Sequence, residues 1–257
     1  MEDFITQLFI FPLFMVFLRL GGAIMVFPVL ADGSVNVRVR LLLALTASFA
    51  MYPALMDKIP PLPNATGVLV GMIFSELLIG ILMAIGARLF MSAMTVAGDV
   101  LSYMAGLQAA TLFDPQSNSQ TTAPALLLSM VGLMIVLLLN LHLQMIQAIH
   151  DSYTILPVGQ LPHMADTAQA IIKVVADMFL LGVKLATPVI AVGFLTYMAF
   201  GLLNRLVPQV QAFFISMPVT IAFGLFVLGL AMSSMITLFG DELTSHAILF
   251  NQSTEQQ

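Results

Sequence analysis

Six charged side chains stand within or beside long apolar stretches of this 257-residue chain: Arg19, Glu76, Arg88, Asp99, Asp177 and Lys184. A charge at the centre of a bilayer costs at least about 2.5 kcal/mol on insertion scales, so such residues turn toward a protein interior, a watery cavity or an interface. Two chemistries suit them: ion or proton transport along carboxylates, and pairing that holds helices together. Asp177 and Lys184 are seven residues apart. On one helix they share a face two turns from each other, too far to bond, so each needs its own partner. Arg88 and Lys184 have the further option of stretching their stems to a membrane surface. Catalysis finds little here. With no Cys, disulfides, thiolate metal sites and cysteine nucleophiles are excluded. His142, His150, His163 and His246 make no ligand set, since only Asp151 adds a neighbouring ligand to the His142–His150 face. Neither a Gly-x-Ser-x-Gly elbow nor a His-Glu-x-x-His pair occurs. The expectation is a protein that is not an enzyme and holds no metal or cofactor.

The elements that must position these charges are apolar. Hydrophobic residues make up 60% of the chain and charged ones 8%, against about 25% charged in a soluble domain, and mean hydropathy is +1.04. An all-α integral membrane protein follows. The net charge of −5, with eight Lys and Arg in no run, argues against a nucleic-acid partner. The acidic Met1-Glu2-Asp3 opening is the wrong start for a cleavable signal, so the first apolar run is expected to be retained.

Apolar stretches recur at residues 4–30, 41–56, 65–113, 123–150, 171–203 and 206–239. A bilayer core of about 30 Å takes roughly 20 helical residues, which gives about six or seven spans. The 41–56 run is short by that measure. The 65–113 run has no proline and, as one helix, would reach on the order of 70 Å. It must bend near Gly86 or Gly98, or project beyond the bilayer. Gly21-Gly22, Pro188, Pro208 and Pro218 mark places where helices are expected to thin or kink. Arg38 and Arg40 favour a cytoplasmic first loop. Nineteen Met and nineteen Phe suit adaptable packing.

Pro115 disfavours helix at Asp114, so the long helix is expected to end about there. The polar residues that follow, Gln116 to Thr122, cannot face lipid. On the residues alone this segment is either a surface loop between spans or backbone buried along a cavity.

The run FSELLIGILMAIGARLFMSAMTVAGDVLSYMAGLQAATLFDPQSN, from Phe74 to Asn118, resembles the signature region of the FliR family. Elsewhere Leu18-Arg19, Phe27-Pro28, Arg38 and Arg40, Leu156-Pro157-Val158-Gly159, Gly201-Leu202-Leu203-Asn204-Arg205 and Pro208-Gln209-Val210-Gln211-Ala212-Phe213-Phe214 resemble the family in order and spacing. The resemblance covers all but the C-terminal tail. Asn36 stands where the family commonly has Pro, Asp99 where Glu is usual and Met104 where Gln is frequent.

The resemblance implies a non-enzymatic, channel-forming subunit of the flagellar type III protein export gate in the bacterial inner membrane. Its partners would be FliP, FliQ and FlhB-like subunits, unfolded export substrates and the surrounding basal-body ring. It implies a FliP-like part over 1–165 and a FliQ-like helical hairpin and tail over 166–257, in a helical hetero-oligomer of long and broken hairpins largely above the bilayer plane. It places a channel plug at Gly106, Leu107, Gln108, Ala109, Ala110, Thr111, Leu112, Phe113, Asp114, Pro115, Gln116, Ser117 and Asn118. It assigns the six embedded charges to assembly. A virulence injectisome subunit and a self-sufficient ion-coupled transporter are the alternatives, though no inverted repeat supports the latter.

Overall fold

The computed structural model of the chain describes residues 9–31, 35–108, 121–206 and 212–252, and these are helical throughout apart from turns. The helices are α1 (Phe11–Val26), α2 (Pro28–Ala31), α3 (Val37–Leu55), α4 (Thr66–Met104), α5 (Ala123–Leu138), α6 (Leu141–Ile155), α7 (Met164–Leu206) and α8 (Ala212–Gln252). A 3₁₀ turn, Met56–Lys58, extends α3. Among the described residues four segments are long and apolar enough to cross a membrane: Val37–Lys58, Thr66–Met104, Met164–Leu206 and Ser216–Thr244. The bent pair α5 and α6 makes a fifth if counted as one span.

That is fewer than the hydropathy count, for identifiable reasons. The long apolar run does not fold back. It forms one 39-residue helix, α4, of roughly 60 Å at 1.5 Å per residue. Among the described residues α1 has 16. Gly21-Gly22, Pro188 and Pro218 do not interrupt their helices, whereas Pro208 lies outside the described residues. The break comes instead at Asn140, whose φ of 54° is left-handed, a conformation that Asn tolerates better than most residues. It splits the run that hydropathy reads as one span.

α4 also ends earlier than Pro115 suggests. Gly106, at φ 70°, donates its N–H to the Tyr103 carbonyl at 3.1 Å, and Leu107 donates to the Ser102 carbonyl at 2.9 Å. Those two bonds are the Schellman stop, which favours glycine at the left-handed position. Asn36 caps α3, its side-chain oxygen accepting the Arg38 N–H at 3.0 Å. Asn is among the preferred residues for such a cap.

By contacts the chain divides into two units, one drawn from residues 1–90, 140–174 and 246–257, the other from 91–139 and 175–245. In the first, α1 packs along α3. Phe11, Met15, Val16, Leu55, Met72, Tyr153 and Val158 form one apolar cluster, and Leu20, Ala23, Ile24, Ala44, Ala84 and Ile149 another. In the second, glycines set the spacing. A side chain at Gly98 would fall on the Ala125 backbone, one at Gly182 on Val96 and the Ala93 carbonyl, and one at Gly224 on Ala105. Small residues at such crossings let membrane helices approach until their backbones touch.

Candidate functional site

The first unit is tied together by one buried ionic node. Arg19 projects from the middle of α1 and Glu76 from α4, and both are wholly buried. Arg19 Nε donates to Glu76 Oε2 at 2.8 Å and Nη2 to Oε1 at 2.9 Å. This is a two-pronged guanidinium–carboxylate pair, the strong form of the interaction. Nη1 donates to Ser152 Oγ at 3.0 Å and Nη2 to the Leu156 carbonyl at 3.0 Å. The guanidinium carbon lies 3.9 Å from the Tyr153 ring centroid, within cation–π range. Ser152 Oγ in turn donates a hydrogen bond to the Ile149 carbonyl at 2.6 Å. The Gly159 N–H points to Glu76 Oε1 at 3.4 Å.

Each partner is available for a local reason. Leu156 follows the end of α6, where carbonyls lack an intrahelical donor. Pro157 then starts a turn closed by Gln160 N–H on the Pro157 carbonyl at 3.2 Å, with Gly159 at φ 85°. Three separated motifs, Leu18-Arg19, the Glu76 run and Leu156-Pro157-Val158-Gly159, therefore meet at one point. Chemically the Arg19–Glu76 pair is buried and hydrogen-bonded to protein groups, while the Tyr153 hydroxyl beside it is buried without a hydrogen-bond partner among the described residues. The pair stabilises a helix crossing.

That crossing is close. A Cβ on Gly80, one turn beyond Glu76, would fall on the Arg19 carbonyl oxygen, and one on Gly22 would come within 3.0 Å of the Leu77 carbonyl. Gly80→Ala is expected to destabilise the protein by about 1–3 kcal/mol, as overpacking does. A Cβ on Gly86 would meet nothing within 4 Å, so Gly86→Ala in the same helix should stabilise by about 0.5–1 kcal/mol. Thermal unfolding of the two variants in detergent checks the opposite signs.

The second unit holds the base of the polar segment. Ser102 Oγ, on α4, bonds to the Gly98 carbonyl at 2.8 Å and to Thr122 Oγ1 at 2.7 Å. Thr122 Oγ1 lies 3.3 Å from Asp99 Oδ1. Thr122 immediately precedes α5, so both ends of the intervening segment are fastened together. Tyr197 Oη donates to the Met104 carbonyl at 3.1 Å, and the Met104 side chain lies against Gly193.

Of the plug residues expected from the sequence, Gly106, Leu107 and Gln108 are described; Ala109, Ala110, Thr111, Leu112, Phe113, Asp114, Pro115, Gln116, Ser117 and Asn118 lie outside the described residues. Of the six charges, Arg19 and Glu76 are brought together and Asp99 meets Thr122. Arg88 and Lys184 are exposed, with no hydrogen bond or ion pair among the described residues. Asp177 is half-buried. Sequence reasoning does not single out Ser152, Tyr153, Ser102 or Thr122. Hydroxyls on apolar helices carry no distinguishing spacing, although Ser152 and Tyr153 shortly precede the Leu-Pro-Val-Gly turn.

Comparison with known proteins gives a consistent picture. A family described as bacterial export proteins, family 1, matches residues 10–246. The flagellar biosynthetic protein FliR of Caulobacter vibrioides is 34% identical over 241 residues, covering 94% of this chain and 96% of that protein. The Escherichia coli protein of the same name is 31% identical over 245 residues, with 95% and 90% covered. That of Bacillus subtilis is 27% identical over 228 residues, with 87% of each covered.

Proposed function

Since the chain belongs to the FliR family of bacterial export proteins, a membrane subunit of flagellar protein export and not an enzyme, we propose that it forms one asymmetric element in the wall of the export gate. The observation that carries this is helix length. α4, α7 and α8 have 39, 43 and 41 residues, roughly 60 Å each and about twice a bilayer core. Apolar side chains stay exposed along α7 and α8, among them Phe194, Leu195, Met198, Leu202, Phe226 and Leu230. Such lengths cannot all be covered by lipid, so other subunits cover them.

In this proposal the N-terminal part, residues 1–165, takes a FliP-like place. The α7–α8 hairpin within 166–257 takes a FliQ-like one, beside FliP, FliQ and FlhB-like partners within the basal-body ring. The assembly stands largely above the bilayer plane of the inner membrane. Residues 106–118 form the plug, with Leu112 and Phe113 as the water-excluding groups. The joined base at Ser102 and Thr122 supports it, because a seal held at both ends keeps its position.

Co-expression with the neighbouring membrane subunits, followed by mass measurement of the intact complex, is the test. One copy of this chain in a hetero-oligomer is the expected result. A stable, well-folded homo-oligomer of this chain alone would refute the proposal.

A further inference from the structure

We infer that α3 is the helix by which this subunit touches the lipid bilayer. Of the four candidate spans it is the nearest to bilayer length: Val37–Lys58 has 22 residues, about 33 Å, against a core of about 30 Å. It buries a single stripe, Ala44, Ser48, Tyr52 and Leu55. Around the rest of its circumference apolar groups stand open, including Leu41, Leu42, Leu45 and Phe49.

The polar side chains on α3 are arranged as hydrocarbon requires, although Pro53 leaves the Phe49 carbonyl without its helical donor. No charged residue lies between Arg40 and Asp57. Thr46, on the exposed side, turns its hydroxyl onto the helix's own Leu42 and Leu43 carbonyls, both at 3.0 Å. A donor so placed needs no water and no partner subunit. Arg40 is folded backward, its Nε and Nη2 donating to the Val35 carbonyl at 3.1 and 2.9 Å. Its charge thereby sits ahead of the first turn. That posture extends the apolar surface back toward the exposed Arg38, as snorkelling side chains do. It reduces the shortfall of the 41–56 run that hydropathy alone leaves. Asp57 and Lys58 mark the other edge.

This inference rests on the proposal that protein covers α7 and α8, and the test separates the two. The chain has no native cysteine, so single cysteines can be placed at matched exposures. Leu42 and Leu45 on α3 are 62% and 47% exposed; Phe194 on α7 and Leu225 on α8 are 62% and 48%. Each Cys variant is labelled with a bimane probe in the co-purified complex. The complex is then reconstituted into phosphatidylcholine–phosphatidylglycerol vesicles with or without brominated acyl chains. The expected result is several-fold stronger quenching by the brominated chains at 42 and 45 than at 194 and 225. Unquenched labels at all four positions would show α3 covered by protein and overturn the inference while leaving the gate proposal standing. Equal quenching at all four would overturn both, because α7 and α8 would then face lipid as α3 does.

Discussion

Replacing Glu76 by alanine is expected to reduce the yield of assembled export complex to a small fraction of wild type, and Glu76→Gln to reduce it far less. Alanine leaves the Arg19 guanidinium wholly buried with only Ser152, the Leu156 carbonyl and the Tyr153 ring around it. Removing one member of a buried ion pair costs about 3–5 kcal/mol, which is about two to nearly four powers of ten in the folded ratio. Glutamine keeps one acceptor for the guanidinium and avoids a cavity. The double variant Arg19→Met/Glu76→Leu is expected to recover much of the loss, since an apolar pair of similar volume removes the uncompensated charge. Complex yield on native gels is the measurement. Equal, wild-type yields from the alanine and glutamine variants would show that the pair contributes nothing to assembly.

The second large effect concerns conduction. Deleting residues 109–113 is expected to leave assembly intact while making cells permeable to ions and small solutes, because the bulky apolar groups proposed to exclude water are gone. The fastened base of the segment lies outside the deletion: Ser102, Thr122 and Asp99 keep their contacts, so α4 and α5 retain their crossing at Gly98. Membrane conductance of cells carrying the deletion decides the matter. Normal assembly with wild-type conductance would show that these residues are not the seal.

Composition alone makes the membrane helical class legible, because 8% charge cannot cover a soluble surface. It also flags Arg19 and Glu76 as residues needing partners, through the cost of an unpaired charge. It does not reveal that they partner each other. Their separation of 57 residues follows no local period, and what decides it is the glycine crossing at Gly22 and Gly80. Pro115 draws the sequence-based boundary of α4 too late, while Gly106, a glycine with no proline directly after it, sets the actual stop. The break at Asn140 escapes hydropathy for a similar reason. One polar residue inside a leucine run barely changes an average, yet a left-handed φ ends a helix. Pro188 and Pro218, where a kink is expected, lie inside continuous helices. A removed hydrogen bond weakens a long helix without dividing it.

The Arg19 node also fixes an order of events in time. Arg19 leaves the ribosome first, Glu76 follows 57 residues later, and Ser152 133 residues later. At synthesis rates of about 5–20 residues per second, the lone arginine waits roughly 3–11 s for its carboxylate and about 7–27 s for the serine. During that interval α1 carries an uncompensated cation and cannot settle among acyl chains. The first helix of this subunit is therefore expected to be held at the insertion machinery, or in water, until Glu76 has been made.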